Sequence, residues 1–173
     1  MEEQQPKTGK FALNYGLILG LISVVFGVML YTQKMHYERN TGIIVISIVI
    51  MAAIIFVGVN AFKKANGGYL SISEALKVAV GIAVIGAVIS LAYQFVLTNY
   101  IEPDFMDKAI EMAKPEAMAQ NPNMTEEQWE QGVEMQKSFA WLQYPIGLII
   151  NCVLGLILGL VTGLILKKSK ADY

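Results

Sequence analysis

The chain offers very little to do chemistry with. It contains one histidine, His36, and one cysteine, Cys152. A metal centre needs several ligands close together, and His36 stands in a nine-residue connection without a second one nearby; it reads as a solvated loop residue. Cys152 lies within an uncharged stretch, with no base beside it to activate the thiol and no second cysteine to pair with. No G-x-x-x-x-G-K-[ST] run occurs, and no G-x-G-x-x-G follows a strand, so no phosphate-cradling loop is expected. Catalytic, cofactor-binding and metal-ligating residues are therefore expected to be none, and the protein is expected not to be an enzyme.

The remaining polar residues of interest are uncharged and sit in apolar surroundings. They are Asn14, Ser23, Ser47, Asn60, Ser90, Gln94, Asn151 and Thr162, spread over four segments. Ion-coupled transporters and proton pumps carry titratable groups within the bilayer, because a moving or paired charge is their mechanism. None is present here, nor are there matched broken helices of the kind that build midplane substrate sites. A secondary transporter is disfavoured. A passive pore formed by several copies stays open.

The elements that hold these residues follow from the charge distribution. Hydrophobic residues make up 55% of the 173 and charged residues 16%, against about 25% charged in an average soluble protein. Four stretches have no charged residue and no histidine: Phe11–Gln33, Asn40–Phe62, Val78–Ile101 and Ala140–Leu166. Each exceeds the ~20 residues that cross a hydrocarbon core at about 1.5 Å per residue. None shows the polar stripe of a surface helix. The expected fold is all-α: a single integral membrane domain over residues 1–173, with transmembrane helices at about 11–32, 42–62, 75–99 and 145–166 in an up-down bundle. The first span is too long for a signal-peptide core and is followed by no A-x-A-like site, so it reads as an uncleaved anchor.

Lysine and arginine set the expected orientation. Lys7, Lys10, Lys63, Lys64, Lys77, Lys167, Lys168 and Lys170 fall on one side; Lys34, Arg39, Lys108, Lys114 and Lys137 fall on the other. Both termini are expected in the cytoplasm. Tyr31, Tyr100, Trp141 and Tyr144 then lie near the outer interface, where amphipathic rings are favoured.

The hexapeptide GLILGL occurs at 16–21 and again at 155–160. In this topology Gly16 and Gly20 share a depth with Gly155 and Gly159 on antiparallel helices. Small residues let helix backbones approach in lipid, where no water-driven force brings them together. The repeat predicts a contact between the first and fourth spans. The fourth continues the pattern at strict fours through Gly147, Asn151, Gly155, Gly159 and Gly163, a row able to serve a neighbouring helix or a second copy. The third carries Ala75, Ala79, Ala83 and Ala87, then Ser90 and Gln94. Gln94 and Asn151 lie within a turn of each other in depth, which predicts an interhelical amide hydrogen bond.

Two connections are informative. In GGYLSISEALK (67–77) the glycines allow a sharp turn, and Ser71 with Glu74 forms a capping box opening the third span. The segment 102–139 holds nine acidic residues against three lysines. It is expected to fold as an extramembrane helical hairpin, an acidic insert over about 102–141 on the outer side. Thr125 and Gln128 cap its second helix, Pro115 and Pro122 break it between the two, and Pro145 marks the restart before the last span. The insert, rich in methionine, is either an adaptable partner surface or a cap on its own bundle or on the headgroups.

The order and texture of FALNYGLILGLIS, GGYLSISEALKVAVGIA and MTEEQWEQGVEMQKSFAWLQYPIG resemble a family of small bacterial membrane proteins catalogued as domain of unknown function 4199. The resemblance covers nearly the whole chain. It implies a four-helix bacterial inner-membrane protein with an outer helical insert between the third and fourth spans, and brings no activity or functional residues. The expected role is that of an interaction or scaffold component that contacts the lipid bilayer, self-associates through its glycine faces as a homo-oligomer, and meets a membrane protein partner through 102–141. A channel or transporter subunit, or an accessory subunit of a larger complex, is the alternative. No nucleic acid is expected as a partner.

Overall fold

The computed structural model describes residues 6–37 and 40–168. Arg39 and Lys170, which entered the orientation argument, lie outside the described residues. Six α-helices follow one another: α1 Thr8–Thr32, α2 Thr41–Ala65, α3 Ile72–Val96, α4 Phe105–Gln120, α5 Glu126–Ser138 and α6 Gln143–Leu166. A π-helical turn, Leu97–Ile101, extends α3, and a 3-10 turn, Ala140–Leu142, precedes α6. The segments containing α1, α2, α3 and α6 are long and apolar enough to cross a membrane. Their outer faces suit lipid: Leu21, Val25, Ile149 and Ile165 are each more than 60% exposed, a surface water would not tolerate at this extent.

Local signals explain the helix starts. Asn40 accepts a hydrogen bond from the Gly42 amide (2.7 Å) and opens α2. Ser71 caps α3 through the Glu74 amide (3.2 Å), while Glu74 reaches back to the Ser71 amide (2.8 Å). Thr125 and Gln128 form the same reciprocal box at α5. Each box satisfies two of the amide donors that a helix start leaves unpaired. Between α2 and α3, Gly67 and Gly68 adopt φ of 65° and 84°, the left-handed region that only glycine enters cheaply. The turn is then pinned to the end of α6 by a two-way backbone bridge between Leu70 and Lys168, both bonds 3.0 Å. Pro145 falls in the first turn of α6, where a missing N–H removes no intrahelical bond. Pro115 behaves otherwise than expected: α4 runs through it to Gln120. The missing N–H of Pro115 leaves the Glu111 carbonyl without its helical donor, on a helix that has no buried residue.

The glycines of the repeat do not bring the first and fourth spans together as predicted. Both glycine sets close on α3 instead. Ideal Cβ atoms built on Gly155, Gly159 and Gly163 would lie 2.6, 2.6 and 3.0 Å from the Cβ atoms of Ala83, Ala79 and Ala75. This is an antiparallel zipper in which a four-residue row on α6 meets a four-residue row on α3. On the other flank α1 runs parallel to α3. Gly16 faces Ile85, Gly20 faces Ile89, and Gly81 of α3 in turn admits Ala12. The physical reason is that α3 carries small residues on two faces, so each glycine-bearing helix gains closer backbone contact from α3 than from the other. α2 lies across the assembly and contacts α1, α3 and α6.

The core is lopsided. Ile55, Val59, Val78, Ala79, Ile82 and Ala83 are fully buried, with Phe62 and Leu70 at 1% exposure. These residues belong to the half of the bundle nearer the chain termini. Phe11 meets Phe62 edge to face there, centroids 5.5 Å apart. Toward the other end α2 has no buried residue before Met51, and a cavity lies between the helices.

Candidate functional site

The cavity lies between the four long helices in the half farther from the termini and measures about 410 Å³. Its wall includes Ser23 of α1, Ser47 of α2, Ser90, Tyr93 and Gln94 of α3 and Asn151 of α6. Five of the eight polar residues that look scattered along the sequence thus converge on one space. No charged residue lines it. The anticipated amide bond between Gln94 and Asn151 does not form. Asn151 donates instead to the Gly147 carbonyl of its own helix (2.9 Å), and Ser47 to the Ile43 carbonyl (2.9 Å). Among the described residues the side chains of Ser23, Ser90 and Gln94 make no hydrogen bond.

Beyond the end of α3 the chain builds a second polar centre, around Glu102. The π-helical turn closes with the Glu102 amide donating to the Leu97 carbonyl at 2.7 Å. That i→i+5 geometry turns the carboxylate toward the connection between α1 and α2. Three groups converge on it: Lys108 Nζ at 2.8 Å on one oxygen, the Tyr37 hydroxyl on the same oxygen, and His36 Nε2 at 2.9 Å on the other. Lys108 and then Tyr37 hold the Glu102 carboxyl down at about 2, against burial, with His36 adding to the same effect. Burial first, and then the bond to Glu102, push the Tyr37 hydroxyl up.

His36 is not the solvated loop residue its sequence context implies. Its side chain is 8% exposed, and its ring packs on Tyr37, Tyr31 and Phe105 with centroids 4.0, 5.0 and 5.7 Å away. A carboxylate can only accept, so Nε2 donates to Glu102. Nδ1 is buried without a partner. The sequence reading gave no site role to Glu102, Tyr37, Phe105 or Lys108. One signal for them existed: Glu102 is the first charge after the uncharged run Val78–Ile101, placing it at the same membrane level as the His36 connection. Chemically the cluster is a clamp. Its carboxylate accepts three donors, and its lowered pKa makes it a weak base.

Beyond the clamp, α4 and α5 are tied to each other by Lys114–Glu126 (2.6 Å) and Lys137–Asp107 (2.5 Å). They therefore run antiparallel, and neither has a buried residue. The other residues singled out by the sequence fall elsewhere. Gly16, Gly20, Gly155, Gly159 and Gly163 sit in the α3 interfaces, Gly147 faces Leu91, and Ser71 with Glu74 caps α3 at the opposite end from the clamp.

An all-α chain with four spanning helices, no strand among the described residues and a glycine–alanine zipper is an integral membrane protein. The chain belongs to the family described as "Protein of unknown function (DUF4199)", whose match covers residues 14–168. No curated protein and no solved structure matches it.

Proposed function

We propose that the protein is a non-catalytic interaction component of the bacterial inner membrane, in which the four spanning helices anchor an acidic two-helix arm for a basic partner surface. The observation carrying this reading is that no residue of α4 or α5 is buried, although the arm is rooted by the Glu102 clamp and cross-tied by two ion pairs. An arm that served only to cap its own bundle would bury a face against it. Met112 and Met135 are 54% and 61% exposed, and adaptable thioethers suit a contact surface. The excess of acid over lysine in 102–139 disfavours anionic headgroups and favours a basic protein. Both termini are cytoplasmic and the arm lies outside: seven described lysines cluster at the termini end against four at the other.

The test places a photocrosslinking residue at Met112 or Met135 of the full chain in its own membranes. One heterologous membrane protein with a basic outer surface should be captured, and the adduct should vanish when Glu127, Glu130 and Glu134 are changed to lysine. Adducts confined to lipid or to the protein itself, or an adduct indifferent to charge reversal, would overturn the proposal. The cavity favours a second reading, a channel or transporter subunit. Solute flux into liposomes that depends on Gln94 or Asn151 would establish it.

A further inference from the structure

We propose that the cavity between the four spanning helices is a binding site for an uncharged amphiphile drawn from the bilayer, with one hydrogen-bonding head and an apolar body. This stands independently of the acidic arm and its partner.

The argument starts from unmet hydrogen bonding. Gln94 presents two N–H donors and a carbonyl acceptor, and among the described residues its side chain engages none of them. Ser23 and Ser90 are likewise free, and Asn151 uses one donor only, toward Gly147. In a hydrocarbon setting a polar group without a partner is strongly unfavourable. Three helices, α1, α3 and α6, nevertheless contribute such groups to a single space, and α2 adds the Ser47 hydroxyl. Their convergence is a tertiary fact, since helices that merely packed would bring small or apolar side chains there.

Size and wall chemistry then narrow the ligand. A volume of about 410 Å³ lies within the range of ~300–1,000 Å³ typical of small-molecule sites, which combine an apolar lining with a few placed polar groups. Here the apolar share comes from residues such as Leu19, Phe26, Leu30 and Met51. The lining holds no acid and no base, so a charged head would lie unpaired in a low-dielectric environment. Depth points the same way. Gln94 precedes Ile101 by seven residues, about 10 Å along a helix axis, which is below the level where phosphate headgroups sit. Amide, hydroxyl and carbonyl heads fit these terms; phosphate and carboxylate do not.

Toward the termini the cavity is floored by tight packing. Below it toward the termini lie Ile55, Val59 and Ile82, all fully buried, and the α3–α6 zipper, where even a Cβ would clash. No residue of α2 before Met51 is buried, and Ile44, Val45 and Val49 are about half exposed, which points to lateral entry beside that helix.

The experiment uses the full chain in lipid nanodiscs of phosphatidylethanolamine and phosphatidylglycerol. The probe is a monoacylglycerol carrying a diazirine in its acyl chain, compared with the fatty acid of equal length at pH 8. Monoacylglycerol should label the lining residues Leu19, Phe26, Leu30 and Leu91, compete with unlabelled monoacylglycerol, and exceed the fatty acid at least tenfold. Gln94→Leu, close in size but without hydrogen bonds, should weaken labelling at least fivefold while thermal stability is retained. Ser90→Phe, which occupies the space, should abolish it. Equal labelling by the two probes, label spread over lipid-facing residues such as Leu21 and Ile165, or labelling unchanged in Gln94→Leu would overturn the proposal. Gln94→Leu alone decides the matter if Ser90→Phe does not fold.

Discussion

Gly159→Ala is the smallest perturbation that tests the α3–α6 zipper. The added Cβ would sit 2.6 Å from the Ala79 Cβ and 3.4 Å from the Leu76 Cδ2. Carbon atoms prefer about 3.5–4.0 Å, so the two helices must separate locally by roughly 1 Å. The Ala79 methyl cannot swing away, because it is fixed to the backbone of a fully buried residue. The separation also loosens the adjoining Gly155–Ala83 and Gly163–Ala75 contacts. Overpacking of this kind costs about 1–3 kcal/mol. Replacing glycine within a helix recovers about 0.8–1.0 kcal/mol of propensity. The expected net is a destabilisation of about 1 kcal/mol, measured by reversible unfolding in mixed micelles or nanodiscs. Ala79→Gly removes the opposing methyl. The double variant, which exchanges glycine and alanine across the interface, should return to within about 0.5 kcal/mol of the starting protein, a coupling of about 1–3 kcal/mol. The reasoning is refuted if Gly159→Ala is as stable as the parent, or if the two changes simply add. Additivity would mean that the α6 row faces something other than α3.

Other expectations concern the clamp, the caps and the arm. Glu102 remains ionised in the folded protein to about 2, below its ordinary 4.5. The folded value is depressed, so the clamp's stabilisation is fully present above about 4.5 and is lost as pH falls from there toward 2. Hydrogen exchange at the Met35 amide, which donates to the Leu30 carbonyl, should speed up over that window after correction for intrinsic rates. In Glu102→Gln this pH dependence should disappear, and its persistence would show that another group carries it. Ser71→Ala should cost about 1 kcal/mol through the lost α3 cap, read as a lower unfolding midpoint, and Ser71→Thr should restore most of it. Pro115→Ala should increase protection of the Glu111–Gln120 amides, since an interior proline costs a helix about 3 kcal/mol; unchanged protection would mean that the helix is already distorted elsewhere.

What could be read from the sequence was local, and so was its physical cause. An uncharged run longer than the bilayer is thick must span it, whatever it packs against. Ser71–Glu74 and Thr125–Gln128 act within four residues, so both capping boxes are visible as letters. The glycine rows likewise announced close helix contact. Which helix they contact was not legible, because lipid is as apolar as the core and no polar face marks the inward side. Only the tertiary arrangement makes α3 the shared partner of α1 and α6, through small residues on two of its faces. The same holds for the polar sites. Ser23, Ser47, Ser90, Gln94 and Asn151 come together only because four helices pack around one space, and His36 is buried only because a π-helical turn aims Glu102 at it across 66 residues of chain. Hydropathy and capping depend on neighbours along the chain, whereas the cavity and the clamp depend on contacts between residues far apart in it.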